Sequence, residues 1–418
     1  VRIASHGSRT PASRRSSVMP HLDGSTANQT TSSMGDGGEP TDTPVAHQRR
    51  ELLLMRVFQS QIMGPVLRKF ANPLNVLQAG MTFWSSRVVL LAVEDGLFTE
   101  LAAGPLAKND LIAKLGWHQR AAGPVLDALT EIGLLRRRRD GRYANSRQAA
   151  LFLDRGKPSY VGGLLELSSK RLYELWSGLD HLLRTGGPEA EEERGDNEFF
   201  TTLYRDPVAL ENFLSGMTGI STGEAMLIAA RFPWKHFRTF VDIGSAQGAL
   251  PVRVALTHPH LSGASLDLAA VGPVFEAYIA SFGLSSRIRF ISGNMHVGPL
   301  PTADVICFGH LLHGYSEATR CELISKAYAA LPAGGALLVY DAMVRPGRRD
   351  NLTSYLSSVN IMLETREGFE ATTTQCIGWL RDAGFVDIEQ RHLIGPTSMV
   401  YGRKPGHLAT NSTGERRA

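Results

Sequence analysis

Phe240-Val241-Asp242-Ile243 runs directly into Gly244-Ser245-Ala246-Gln247-Gly248, and an apolar stretch from Leu250 to Leu256 follows. A short apolar run, a turn of small residues and then helix-compatible spacing predict strand, tight turn and helix. Such a unit opens a doubly wound parallel sheet, in which ligands gather at the carboxyl ends of the strands. Asp267 lies 23 residues beyond Gly244, at the end of the next expected strand, Ala264 to Leu268. A dinucleotide site needs Gly-x-Gly-x-x-Gly, whose middle glycine lets a pyrophosphate approach the helix N-terminus. Here the spacing is Gly244-x-x-x-Gly248, and Asp242 is expected to repel a phosphate.

The same alternation continues toward the C-terminus. Arg289 to Met295 reads as a third strand, ending in Gly293-Asn294-Met295, a polar and a soft apolar residue suited to an adenine edge and face. Ala303 to Phe308 is a fourth strand. Leu331-Pro332-Ala333-Gly334-Gly335 is a turn before a fifth, Ala336 to Tyr340. The fold class is therefore α/β, with a Rossmann-like doubly wound sheet. An acid at position 267 suits the two hydroxyls of a ribose, and the lack of a phosphate cradle favours a nucleoside cofactor. S-adenosyl-L-methionine fits, because carboxylates and loop carbonyls can hold its ammonium group.

Toward the N-terminus the period is helical from Gln48 to about Phe152. Leu52, Leu53, Val57, Ile62 and Val66 keep near-helical spacing, and Leu77 to Leu91 is apolar over a broad face. Helices are expected at Lys108 to Leu115 and Arg120 to Ile132. The arginines Arg136 to Arg139, with an Asp140-Gly141 turn and Arg142-Tyr143 returning, predict a hairpin. Helices followed by a hairpin make a winged helix. Its recognition helix would be mostly apolar, with no Asn, Gln or Lys to read base edges, so the arginines read as a solvated wing tip. Residues 155 to 232 continue as helices around a loop at Thr185 to Asn197, followed by the aromatics Phe199, Phe200 and Tyr204.

The 418 residues are 43% hydrophobic and 20% charged, which excludes collagen-like, disulfide-scaffold and wholly disordered chains. Residues 1–47 are rich in Ser, Thr, Gly, Pro and Arg and read as a disordered leader without the apolar core of a secretion signal. Much of the +4 net charge sits in that leader and in Arg416 and Arg417, so no nucleic-acid partner is expected. The longest apolar run, Val88 to Val93, is stopped by Glu94 and Asp95, and no membrane partner is expected. Cys307, Cys321 and Cys376 lack metal-ligand spacing and suit a reducing, cytoplasmic setting. The expected divisions are a leader at 1–47, a winged-helix domain at 48–155 and helices at 156–232. The cofactor domain follows at 233–404, with a tail at 405–418.

Several segments carry a family resemblance: Val241 to Gly248, Gly293-Asn294-Met295, Gly309-His310-Leu311-Leu312-His313-Gly314-Tyr315-Ser316, Leu331 to Val339, and Met217 to Ser221. On these the chain from Gln48 to Lys404 resembles the small-molecule O-methyltransferases of plant phenylpropanoid and bacterial natural-product pathways, including acetylserotonin methyltransferase relatives. The resemblance implies a homodimer joined through the winged-helix domain and methyl transfer to a hydroxyl of a small, aromatic secondary metabolite. It implies His313 as general base near neutral pKa, oriented by Asp341 and Glu370. Ser221, Asp242, Gly244, Asp267, Asn294, Met295 and Gly309 would bind the cofactor. The substrate pocket is placed at Phe200, Tyr204, Met217, His310 and Met362.

The family frequently has Glu where this chain has Asp341, a side chain one methylene shorter that is expected to reach less far toward His313. Gly314 and Tyr315 replace the usual acid and Trp. His310, His313 and Asp341 could ligate iron or zinc, but methyl transfer to an activated hydroxyl needs no metal, and none is expected. Two alternatives stay open: the same fold and cofactor serving C- or N-methylation, hydroxylation or pericyclic chemistry, and a winged-helix regulator with a degenerate cofactor domain.

Overall fold

The computed structural model describes residues 72–157, 159–188 and 203–406. The leader, the helical stretch 48–71, Phe199, Phe200, most of the loop before them and the tail from 407 lie outside these residues. The chain divides into two compact units, Val1–Leu77 and Gln78–Ala418. Of the first, only residues 72–77 are described, and from Pro73 they form the start of helix α1 (Pro73–Glu94).

In the second unit α2 (Lys108–Leu115) and α3 (Gln119–Glu131) precede a hairpin of β1 (Leu135–Arg137) and β2 (Tyr143–Asn145). Leu135 pairs with Asn145 and Arg137 with Tyr143. Gly141 takes φ 82°, and Asp140 Oδ1 accepts from the Arg142 amide at 3.1 Å. The wing-tip arginines are partly neutralised locally: Arg137 meets Asp127, and Arg142 meets Asp140.

The remaining described chain builds a seven-stranded sheet in the order β5-β4-β3-β6-β7-β9-β8. The strands are β3 (Thr239–Ile243), β4 (Ser262–Asp267), β5 (Ile288–Ser292), β6 (Val305–Gly309), β7 (Ala336–Asp341), β8 (Val386–Ile394) and β9 (Thr397–Arg403). Strands β3 to β7 pair in parallel, and β9 lies antiparallel between β7 and β8. Alternation divides the core. Phe240, Val305, Cys307, Ala336 and Leu338 pack on one face, whereas Val241, Ile243, Ile306, Phe308, Leu337 and Val339 pack on the other. The helices are α4 (Pro207–Arg231), α5 (Ala249–Thr257), α6 (Gly272–Ser281), α7 (Glu317–Ala330), α8 (Leu352–Glu364) and α9 (Thr373–Asp382). Because the order reverses beside β3, a crevice opens at the carboxyl ends of β3 and β6.

Strand ends differ from expectation where pairing or a side chain decides them. Strand β4 begins at Ser262 because that residue already pairs with Thr239, and it ends at Asp267. Strand β6 begins at Val305 because Asp304 is used as a staple: its Oδ2 accepts the amides of Arg238 and Thr239 at 2.8 and 3.0 Å.

Among the described helices α1 alone is long and apolar enough to cross a membrane, by length and composition only. It has 22 residues, and an 18-residue stretch of it reaches a mean hydropathy of 1.4. Asn75, Gln78 and Arg87 interrupt its apolar sequence, and Thr82, Ser85 and Ser86 each donate to a carbonyl within the helix. At its C-terminal end Arg87 and Glu94 both meet the buried Ser169 hydroxyl.

Candidate active site

The cofactor cradle is built from the turn after β3. Gly244 and Gly248 have φ values of 69° and 96°, conformations open to glycine at no steric cost. A Cβ on Gly248 would lie 2.7 Å from the Phe275 ring, so the turn is closed against α6. Ala246 also adopts positive φ, 52°, and its amide donates to Asp267 Oδ2 at 3.1 Å. The Leu268 amide donates to Oδ1 at 2.7 Å. Each carboxylate oxygen keeps a lone pair for a ligand.

Burial raises Asp267 to about 6, against the lowering effect of those two amides. Asp242 lies between Ser265 and Cys307 in register and is 2% exposed. Burial, then the charge of Asp267, pushes it well above the usual carboxylate range. This corrects the expected charge on Asp242: without a cation nearby it keeps its proton, and Asp267 is the acid that opposes a phosphate. Among the described residues neither acid has a basic ion-pair partner. A cradle of two acids and a glycine turn suits a cationic nucleoside.

The other expected cofactor residues gather at the same strand ends. Asn294 and Met295 follow β5; Asn294 Oδ1 accepts from the His296 amide at 2.9 Å, and Met295 is half-buried against the second core face. Gly309 ends β6, where a Cβ would fall within the buried Tyr340 ring. Gly309→Ala is expected to lower stability by about 3 kcal/mol by overpacking, measured by chemical denaturation. Ser221 and Met217 are half-buried on α4. Tyr204 approaches Asp267 and Tyr315, and burial, then those two groups, raises its hydroxyl's pKa.

Two residues expected in the pocket differ in their settings. Met362 is 38% exposed on α8, whose Asn360 and Glu364 turn toward Trp176 and Arg171. His310 does not present a free ring to a substrate. Its Nε2 meets Glu224 Oε2 at 2.5 Å, and its Nδ1 lies 3.4 Å from Asp341 Oδ1.

His313 stands in a short 3-10 turn, Leu312–Gly314, between β6 and α7. Ser316 caps α7 and so terminates that turn. Nδ1 of His313 lies 2.8 Å from Asp341 Oδ1 and 3.3 Å from Glu370 Oε1. The shorter Asp341 therefore does reach the ring, because it sits on the last residue of β7, directly beside β6. Ser357 donates to Glu370 Oε1 at 2.7 Å. Burial alone would lower His313, but Asp341 and then Glu370 outweigh it and raise the ring to about 10. This replaces the expected near-neutral base with one that holds its proton at rest.

Sequence reasoning missed Glu224 and Arg320. The signal for Glu224 was present, since it is the only charged residue between Met217 and Ala230. Arg320 is 1% exposed; it donates to the carbonyls of Tyr315, His313 and Phe369 at 2.8, 3.0 and 2.6 Å. It thereby ties the His313 turn to the Glu370 segment. A ring nitrogen of His310, one of His313 and a carboxylate oxygen of Asp341 lie within 4.8 Å of one another. Three acids, Glu224, Asp341 and Glu370, face three basic groups, His310, His313 and Arg320, so the cluster balances its own charge.

An α/β fold with this cradle, and a histidine-carboxylate pair beside it, defines a nucleoside-dependent transferase site. The O-methyltransferase domain family matches residues 176–386, and the O-methyltransferase dimerisation domain family matches residues 77–155. The tetracenomycin polyketide synthesis 8-O-methyl transferase TcmO of Streptomyces glaucescens is 39% identical, over 80% of this chain and 97% of its own length. The N,N-dimethyltransferase OxyT of Streptomyces rimosus is 33% identical over 76% of this chain and 92% of its own. Human N-acetylserotonin methyltransferase, solved in complex with SAM, superposes with a TM-score of 0.72 at 25% identity, over 79% of this chain and 96% of its own. The chain belongs to the O-methyltransferase family and is an enzyme that uses S-adenosylmethionine.

Proposed function

We propose that this enzyme methylates a phenolic hydroxyl of a small aromatic metabolite, of the polyketide type named for TcmO, with His313 as general base. The bound cofactor supplies an activated sulfonium methyl group. Asp267 would hold the ribose, and Asn294 and Met295 the adenine. Ser221, Asp242, Gly244 and Gly309 would border the amino-acid end, with Tyr204 and Met217 toward the acceptor. One observation carries the reading: His313 Nδ1 lies at ion-pair distance from Asp341 and Glu370, without a hydrogen bond to either, so that side of the ring faces the acids and Nε2 is left to receive the acceptor's proton. A phenol titrates near 10, so an imidazole raised to about 10 is matched to it, and proton transfer costs little driving force.

The pH dependence follows with a definite sign. The rate requires a neutral ring, so kcat/KM is expected to rise with pH to well above 6.5, toward about 10. Asp341→Asn removes the strongest influence holding the proton and is expected to move that limb to lower pH by at least about one unit, with a lower maximal rate. A limb that stays in place in this variant contradicts Asp341 as the tuning acid.

The relative named as an N,N-dimethyltransferase supports a second reading in which the acceptor is an amine. Product mass together with proton NMR of the new methyl separates oxygen from nitrogen. Transformed substrate with unchanged S-adenosylmethionine would exclude methyl transfer altogether.

We further place the enzyme in the cytoplasm as a homodimer, with the winged-helix region 48–155, helices 156–232 and cofactor domain 233–404 as its parts. The dimerisation-domain match and the exposed Leu74, Val76, Leu77, Phe83 and Trp84 of α1 support the dimer. Light scattering should give twice the chain mass.

A further inference from the structure

Glu224 lies on α4 and His310 just beyond β6, and the base as proposed above uses neither. Yet their side chains form a continuous row with it. Thr397 of β9 donates to Glu224 Oε1, Glu224 Oε2 meets His310 Nε2 at 2.5 Å, and His310 Nδ1 faces Asp341 Oδ1 at 3.4 Å. That same Asp341 oxygen meets His313 at 2.8 Å. A neutral imidazole would turn a lone pair toward one of its two carboxylates. As imidazolium His310 hydrogen-bonds Glu224 and stands at ion-pair distance from Asp341. It also holds a backbone φ of 47°, which a non-glycine residue adopts at a cost when its surroundings require it.

We propose that Glu224 and His310 are positioning residues, a second carboxylate-imidazolium arm that holds Asp341 from the side away from His313 and tempers its grip on the base. This rests on the reading of His313 as base. Asp341 is shared: two cations draw on one oxygen, so the positive charge of His310 weakens the field that binds the proton of His313. The ring centroids lie 6.2 Å apart. The other groups around the pair are Glu370, the Arg320 guanidinium on α7, the Tyr340 phenol edge-on to His310, and the Cys376 thiol of α9. Burial raises both the phenol and the thiol, so they add no charge.

The sign separates this role from a merely structural one. Asp341→Asn lowers the pH at which His313 releases its proton; His310→Gln should raise it, by about one unit. At pH 8 that lowers kcat/KM about tenfold with little change in KM for either substrate. His310→Lys, which restores the charge, should return the limb toward its wild-type position. Nitrogen-15 spectra of the imidazoles in the full-length apo protein read the same titration without turnover. Glu224→Gln should let His310 lose its proton more easily and shift His313 in the same direction, and it serves if His310→Gln fails to fold. An unchanged or lowered His313 titration in a folded His310→Gln or Glu224→Gln protein overturns the arm. Full activity in His313→Ala would instead overturn the base, while the nitrogen-15 titrations would still decide the arm.

Discussion

His313→Ala is expected to lower kcat by about a hundredfold to ten-thousandfold, the range that removal of a positioned general base commonly produces. Affinity for S-adenosylmethionine, measured by calorimetry, should change little, because the cradle is made by other strand ends. The loss should be greatest for acceptors with a high hydroxyl pKa and smallest for those already ionised in solution, since only the former need the base. Activity near the wild-type level across such a series would rule His313 out. The ring can do this work only because its proton is held and released within a balanced cluster. A histidine in water would be a weaker base than the phenolate it must generate.

The second large effect is at Asp267. Asp267→Ala is expected to weaken S-adenosylmethionine binding by about a hundredfold or more, because two hydrogen bonds to a charged acceptor contribute about 1.5–3 kcal/mol each. The same substitution removes the acceptor for the Ala246 and Leu268 amides, so part of the loss comes from the turn itself. Asp267→Asn keeps an acceptor oxygen while removing the charge, and should fall between wild type and Ala. Calorimetry with S-adenosylmethionine and with S-adenosylhomocysteine distinguishes the contributions. A loss confined to the cationic ligand would assign Asp267 to the sulfonium charge rather than to the ribose.

The charge cluster also sets a stability profile. Folding raises His313 from its ordinary value to about 10. Its contribution is therefore complete below about pH 6.5 and fades as pH rises through about 10. Asp341 is lowered by the same pair, first through His313, against its own burial. Its share is present above the ordinary carboxylate range and is lost in acid. These are two views of one interaction and do not add.

The cradle could be read from the chain because its parts are near neighbours. Gly244, Gly248 and Asp267 fall within one strand-turn-helix-strand unit, where local spacing dictates what meets. The hairpin was equally local, and its Asp140-Gly141 turn is where the composition placed it. His313 could be placed only through the family pattern around it, and its pKa could not be placed at all. Met362 could not be placed against the site from the sequence, because helix spacing states which residues share a face, without stating which face meets the site.

Residue order alone decides the parallel sheet, the glycine turn and the acid that follows it, since strand and helix periods and short βα connections act over a few residues. Tertiary structure decides the chemistry of the base. Glu224, His310, His313, Asp341 and Glu370 span 147 residues and come from α4, the turn beyond β6, the end of β7 and the segment beyond α8. Proton affinity depends on separations of 2.5–3.4 Å among them in a buried site. Coulombic effects of that size follow distance in space, and no spacing along the chain encodes it.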